Sequence, residues 1–189
     1  MRVRRNSTAA AAAVLLALPS VAGEIKVAPD QRYLLLATTK TNTMEQELTD
    51  AANLGFRIVL AAPSGVGLLL LMERVATPPD VYKYKLLATT RVDTMDKELN
   101  EAARDGYRLL PRTIMPKQKL IGPPEIVSVT EKAPGSEKAP LYEYKVLGTA
   151  KTSTLEKEIL ESRAAGYVLS GMATANERTV IMEREIGAK

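Results

Sequence analysis

The sequence of 189 residues contains no histidine, no cysteine and no tryptophan, and only one phenylalanine. Without histidine or cysteine the chain cannot build a Ser-His-Asp or Cys-His nucleophile, a histidine acid or base, or an ordinary zinc site. Without cysteine it forms no disulfide bond, so apolar burial has to stabilise the fold. These absences predict a protein that is not an enzyme and that holds no metal and no cofactor.

The first 23 residues have the pattern of a secretory signal peptide. A start with three arginines precedes a short apolar run, and small residues suited to cleavage follow. We expect cleavage near Ala22, Gly23 and Glu24, and export to the bacterial periplasm or the medium as a soluble protein. A buried alanine-rich helix is the alternative interpretation. No later apolar run is long enough to cross a membrane.

The charge of the remaining chain is nearly balanced. The leader carries three of the 26 basic residues and none of the 22 acidic ones, so residues 24–189 hold 23 basic and 22 acidic side chains. This balance gives no electrostatic reason to expect nucleic acid as a partner. An unknown protein partner or self-association is the expectation.

One pattern of residues occurs three times, beginning at Tyr33, Tyr84 and Tyr144. The first two copies share 14 of 25 positions, and the second and third share 10 of 25. Such repetition predicts an α+β fold of three tandem β-α-β-β repeats, each a three-stranded, mostly antiparallel sheet with one helix. The predicted boundaries are 31–75, 81–132 and 141–186, with a linker at 133–140.

Recurring polar residues and glycines mark the ends of the three predicted helices. Hydroxyl side chains suited to the first turn recur at Thr43, Thr94 and Thr154, each preceded by Asn, Asp or Ser. Glycines that could adopt a positive φ after the last turn recur at Gly55, Gly106 and Gly166. Within each repeat, we expect the last strand to lie between the other two.

The run Leu68-Leu69-Leu70-Leu71 has no polar alternation. A strand of this kind is typical of burial on both faces, whereas one helix covers only one face of a sheet. We therefore expect the free faces or edges of the three sheets to meet with pseudo-symmetry around a common centre.

The second repeat has an expanded hairpin loop at 111–125. It combines prolines with Lys117 and Lys119 and with apolar residues expected to be exposed, among them Met115 and Leu120. A loop longer than its counterparts often carries function or an oligomer contact, although a tolerated insertion is an equal alternative.

Tyrosines and glutamates are the other candidate functional residues. Tyr82, Tyr84, Tyr142 and Tyr144 alternate with charged residues, which suits a ligand groove or simply a half-exposed strand. Recurring carboxylates could serve a hydrolase, but they are more typical of ion pairs at strand ends and of solvated helix faces: Glu47, Glu98, Glu158, Glu73, Glu131 and Glu183.

The motifs of the third repeat resemble a known family. Tyr142-Glu143-Tyr144-Lys145-Val146, Leu155 to Ile159, Gly166-Tyr167 and Met182-Glu183-Arg184 are similar to the bacterial domain of unknown function forty-one seventy-seven. The first copy departs from it at Gln31-Arg32-Tyr33, and the second at Glu131-Lys132 and in its long loop. The resemblance implies a small β-α-β-β fold and no activity, cofactor or catalytic residue.

These observations favour a non-catalytic protein-interaction or structural module of the cell envelope. A carrier that binds a small ligand between repeats is the alternative, and a carboxylate-dependent hydrolase is the second.

Overall fold

Three consecutive units make up the computed structural model, which describes residues 25–75, 77 and 80–188. Unit 1 comprises β1 (Tyr33–Thr38), α1 (Thr41–Asn53), β2 (Phe56–Ser64) and β3 (Gly67–Arg74). Unit 2 comprises β4 (Lys83–Thr89), α2 (Val92–Arg104), β5 (Arg108–Leu109), β6 (Met115–Lys117) and β7 (Glu125–Lys132). Unit 3 comprises β8 (Pro140–Thr149), α3 (Thr152–Ala164), β9 (Val168–Thr174) and β10 (Arg178–Ala188). The predicted signal peptide and its cleavage region lie outside the described residues.

The fold is α+β, and every strand pairing within the three sheets is antiparallel. The strand orders are β1-β3-β2, β4-β7-β5 and β8-β10-β9, so the last strand of each unit is central, as predicted. Unit 2 has a fourth strand because a 3-10 turn at Pro111–Thr113 divides its second strand into β5 and β6, and both of these pair with β7.

The helices begin slightly before the residues that the sequence indicated. The N-cap residues are Lys40, Arg91 and Lys151, none with a side-chain cap, so Thr43, Thr94 and Thr154 lie inside the first turn. Asn42 and Asp93, which precede two of these threonines, each accept a hydrogen bond from the N–H of the following threonine. The threonine that ends each first strand turns the chain instead. In unit 2, the hydroxyl of Thr89 accepts a hydrogen bond from the Arg91 N–H at 3.1 Å. After the helices, Gly55, Gly106 and Gly166 have φ of 87°, 85° and 90°, a conformation that glycine adopts without a Cβ clash.

Sheets and helices alternate along the molecule. The helix α1 packs on its own sheet and on β4 of unit 2, and α2 packs on its own sheet and on β8 of unit 3. The helix α3 packs on β8 and β10 of its own sheet. The sheets are therefore separated by helices, and their faces do not meet at a common centre as expected.

The leucine run of β3 is buried on one face only. Leu68 and Leu70 lie under α1 in the core, whereas Leu69 and Leu71 point away from α1 and are half-buried. Within the described chain, the burial on both faces that the run predicts is not reached. Among the described residues, no layer covers the outer face of the first sheet.

The expanded loop of unit 2 is mostly folded. Met115 and Lys117 belong to β6 and are buried, which corrects the expectation that Met115 is exposed. The buried ammonium of Lys117 lies 3.6 Å from the Glu125 carboxylate, and that of Lys119 lies 3.2 Å from it. The tip projects into solvent, where Leu120 and Ile121 are 86% and 88% exposed.

Candidate interaction surface

The junction between units 1 and 2 centres on a buried carboxylate. Glu131, at the end of β7, receives hydrogen bonds from Arg57 of unit 1, with Nη2–Oε1 at 2.8 Å and Nε–Oε2 at 3.0 Å. The Tyr84 hydroxyl donates to the same carboxylate at 3.0 Å and accepts from the Ile58 N–H at 3.1 Å. A buried charge needs such partners, so this network joins the two units across their apolar contact.

The electrostatics of this junction follow from its burial. Loss of solvent, together with the nearby Glu131 charge, raises the pKa of Tyr84 above its usual value, so the phenol stays protonated and donates. The hydrogen bond to Glu131 raises the pKa of the Arg57 guanidinium. Arg57 also lies 4.5 Å from the centre of the Tyr82 ring, which is a cation–π contact.

Equivalent residues form the junction between units 2 and 3. Arg108 of unit 2 contacts the Glu183 carboxylate at 2.7 Å and lies 4.1 Å from the centre of the Tyr142 ring. The Tyr144 hydroxyl accepts a hydrogen bond from the Leu109 N–H at 2.8 Å. Burial raises the pKa of Tyr144, as it raises that of Tyr84 at the first junction.

The second junction adds side chains of α2 that bind the backbone of β8. The Asn100 amide donates to the Tyr144 carbonyl at 3.0 Å and accepts from the Tyr144 N–H at 2.9 Å. Asp96 accepts from the Val146 N–H at 2.8 Å. These bonds satisfy backbone groups on the outer edge of a sheet, which are otherwise open to other strands.

The tyrosines predicted as ligand contacts therefore connect the units. Tyr84 and Tyr144 are buried inside the junctions, and the rings of Tyr82 and Tyr142 lie under arginines of the preceding unit. Those arginines are not among the functional residues predicted from the sequence. The signal was present, because Gly-aromatic-Arg recurs at 55–57 and 106–108, whereas the third copy reads Gly-Tyr-Val at 166–168.

The outer face of the first sheet is the equivalent of the faces buried at both junctions. Leu35 pairs with Leu71 across this sheet, as Leu86 pairs with Val129 and Val146 with Ile181 in the other two. At the junctions, Tyr84 and Tyr144 are 6% and 3% exposed. On the first sheet, the equivalent Tyr33 is 51% exposed, and Leu35 is 58% exposed. We call the outer residues of this sheet the open face: Tyr33, Leu35, Leu60, Leu69, Leu71 and Glu73.

The charge on the open face is already balanced by its own unit. Glu73 is the equivalent of Glu131 and Glu183, but its partner is Arg32, 2.8 Å away beside β1. In units 2 and 3, the arginine comes from the preceding unit. The open face is therefore apolar, with one internally paired carboxylate at its margin.

The cavities of the described chain are small or shallow. One cavity, with a volume of about 280 Å³, lies between units 1 and 2, and its lining includes Arg57, Ile58, Glu73, Leu110 and Pro111. This volume is at the lower limit for small-molecule sites, which span roughly 300–1,000 Å³.

The recurring carboxylates lie in two kinds of place. Glu73, Glu131 and Glu183 each pair with an arginine at a strand end. Glu47, Glu98 and Glu158 are half-buried on the three helices, one on each. Burial raises the pKa of Glu47 and of Glu98 above the usual value.

Residues 25–75, 77 and 80–188 contain no group of three or more acidic side chains placed to hold a metal ion. In the same part of the chain, no helix has the length and apolar character needed to cross a membrane. Comparison with known proteins finds no matching family model, no matching curated protein and no matching solved structure.

Proposed function

We propose that this protein is a non-catalytic interaction or structural module of a bacterial envelope, which binds a protein through the open face. The single observation that carries the proposal is the exposure of this apolar face. Its two equivalents in the same chain are covered by a helix and a strand of the preceding unit. Soluble proteins rarely leave a contiguous apolar face uncovered unless it meets a partner.

The leucine run of β3 supports the same proposal independently. Leu69 and Leu71 give the strand the composition of one buried on both faces, yet the described chain covers only the face of Leu68 and Leu70. A bound protein would cover the second face and remove the mismatch.

We infer that the three units are tandem copies packed with pseudo-symmetry, because equivalent Tyr, Arg and Glu residues form both junctions. Export after removal of a signal peptide, and the resemblance to the domain of unknown function, remain predictions from the sequence. So do the alternatives of a small-ligand carrier and a carboxylate-dependent hydrolase.

A photo-crosslinking residue placed at position 35 tests the proposal. In the intact host, we expect Leu35 replaced by a photoreactive amino acid to give a discrete protein adduct. A matched variant carries the same group at Gln46, which is exposed on α1 and bonds only to Asp50 in the described chain. Adducts from neither position, or equal adducts from both, would contradict a role for the open face.

A further inference from the structure

We propose that the open face binds unit 3 of a second copy of this chain, so that the molecules associate head to tail. This inference rests on the proposed function, and it names the partner. The surface that would be contacted is formed by the outer sides of α3 and β9. We call it the α3–β9 surface and define it by four exposed apolar residues: Leu160, Val168, Leu169 and Met172.

The α3–β9 surface is the third version of a surface that is used twice inside the chain. By alignment of the three copies, Leu169 occupies the position of Ile58 in unit 1 and of Leu109 in unit 2. Both of those residues are buried, and each donates its N–H to the tyrosine hydroxyl of the following unit. Leu169 is 59% exposed, and within the described residues no unit follows its own.

The tyrosine that would meet Leu169 is present on the open face. Tyr33 occupies the position of Tyr84 and Tyr144, and it is half-exposed. If the open face of a second copy packed on unit 3 as the units pack at the two junctions, the Tyr33 hydroxyl of that copy would lie at the edge of β9. This packing would also lay Leu35 and Leu71 against the apolar side chains of the α3–β9 surface. The chain thus carries both halves of a third junction, at opposite ends of its series of layers.

The open face and the α3–β9 surface also differ from the two internal junctions at matching positions. Where the following unit has a stacking ring, Tyr82 or Tyr142, the preceding unit has an arginine beneath it, Arg57 or Arg108. At the positions that would form the third junction, Gln31 replaces the ring and Val168 replaces the arginine. At these two positions, neither half therefore has a ring or a guanidinium that lacks its counterpart.

A second pair of substitutions changes the size of the side chains that would meet. The small Ala52 and Ala103 are buried at the junctions, and Ala103 lines the same cavity as Tyr142. Unit 3 has Arg163 at this position, opposite the shorter Gln31 of an incoming copy. A larger residue thus faces a smaller one. Glu73 needs no arginine from the partner, because Arg32 already pairs with it.

A face-to-face dimer of two open faces fits the dimensions less well. Three strands of about six residues present roughly 300 Å² of flat area, so two such faces cover about 600 Å². Specific interfaces bury about 1,200 Å² or more. Head-to-tail contact also includes the edge of β9, as β2 contacts β6 and the 3-10 turn of unit 2 at the first junction. Such a contact is heterologous, so it forms rings or open chains.

The test measures the mass of the purified chain in solution by analytical ultracentrifugation over a range of concentrations. The variants are Leu35→Asp on the open face and Leu169→Asp on the α3–β9 surface. Both positions are exposed in the single chain, so we expect wild-type circular dichroism, and wild-type urea midpoints at concentrations where the wild type is monomeric. A carboxylate buried in the apolar contact should weaken self-association by at least about 100-fold in either variant.

Mixing the two variants gives the decisive result. Each variant retains one intact half of the junction, so an equimolar mixture should form a 1:1 dimer that grows no further, although each variant alone is monomeric. A dimer that survives Leu169→Asp but not Leu35→Asp would overturn the head-to-tail arrangement in favour of face-to-face pairing. A wild-type chain that stays monomeric at about 200 μM, far above the Kd of specific complexes, would overturn self-association altogether. The crosslinking experiment at position 35 would then decide separately whether the open face binds another protein.

Discussion

The two junctions inside the chain place the same residues together but stabilise the contact differently. At the first, Glu131 accepts three hydrogen bonds from Arg57, two of them sharing its Nε–H, and a fourth from Tyr84. At the second, Glu183 is contacted by Arg108 through one oxygen, and its other oxygen is buried without a partner in the described chain. The second junction relies instead on Asn100 and Asp96, which bind the backbone of β8.

The approach of the layers differs as well. In β8, Gly148 takes the place of Ala88 in β4, and a Cβ at Gly148 would overlap the side chain of Val92 on α2. Close approach of helix and strand at the second junction lets short side chains such as Asn100 reach the backbone. Repetition in the sequence therefore selects which surfaces meet, and single substitutions select whether charge or backbone hydrogen bonding stabilises the contact.

In the comparison of the two junctions, the largest expected effect is the loss of the charge at the first. Glu131→Gln keeps the size of the side chain but removes the charge that Arg57 pairs with. We expect the free energy of unfolding, measured by urea denaturation, to fall by about 2–3 kcal/mol. Glu183→Gln is the matched variant, and it should cost about 1 kcal/mol or less because one carboxylate oxygen is already unpaired. Equal losses of stability would show that the buried carboxylate contributes equally to the two junctions.

The second-largest effect is expected at the second junction, and little effect is expected at the equivalent position of the first. Asn100→Ala removes two hydrogen bonds to the β8 backbone and should lower the free energy of unfolding by about 1–2 kcal/mol. Thr49 has the equivalent position in α1, and its hydroxyl donates only to the Glu45 carbonyl of its own helix. Thr49→Ala should therefore stay within about 0.5 kcal/mol of the wild type in the same urea experiment. A larger loss for Thr49→Ala than for Asn100→Ala would refute the assignment of backbone binding to α2.

A smaller effect concerns the tyrosines shared by both junctions. Tyr84→Phe leaves the Ile58 N–H and one Glu131 oxygen with fewer partners, at a cost of about 1 kcal/mol at neutral pH. The pKa values of Tyr84 and Tyr144 are raised from the usual 10.0, so folding favours the protonated phenols. Their contribution is complete below the unfolded-state pKa and is lost as the pH rises from there through the raised folded-state values.

The corresponding measurement is urea denaturation between pH 8 and pH 11. Above about pH 10, the wild-type free energy of unfolding should fall by up to about 1.4 kcal/mol per pH unit for each of the two tyrosines. The double variant Tyr84→Phe, Tyr144→Phe should fall less steeply.

The smallest effect is expected at the tip of the unit 2 loop, which belongs to neither junction. Leu120→Ser with Ile121→Ser should change the free energy of unfolding by no more than about 0.5 kcal/mol, because both side chains are in solvent. Urea denaturation of the double variant measures this change.

Met115→Ser, at a buried position of the same loop, is the variant to compare with the substitutions at the tip. Met115 is buried in β6, where it pairs with Val127 of β7. The substitution should cost about 2–4 kcal/mol, because it removes a buried side chain and places a hydroxyl in the resulting cavity. Similar costs for the tip and for Met115 would contradict the division of the loop into an exposed tip and a buried strand.

Much of the architecture could be predicted from the sequence because it depends on local signals. The bounds of β1 and the ends of the three helices follow from side-chain periodicity and from the positive φ that Gly55, Gly106 and Gly166 supply. The predicted exposure of Met115 was wrong because a short apolar run between prolines has the composition of an exposed loop. Its burial depends on pairing with β7, which lies later in the chain.

The candidate surface could be predicted only in part. The leucine run of β3 indicated a second buried face, and the structure shows which face is uncovered and that Leu69 and Leu71 lie on it. The tyrosines were recognised as a recurring pair but were interpreted as ligand contacts. The hydroxyls of Tyr84 and Tyr144 bind residues of the preceding unit, and no local pattern indicates a contact between units.

By itself, the sequence determined three similar units, the order of strand and helix in each, and the absence of cysteine and histidine chemistry. These properties depend on residue identity and on contacts between near neighbours in the chain. Only the tertiary structure decided that α1 and α2 each lie between two sheets, that Arg57 and Arg108 reach carboxylates of the next unit, and that the first sheet keeps an open face. The physical reason is that burial is a property of the whole assembly of layers, so similar strand faces become buried or exposed according to whether another unit packs against them.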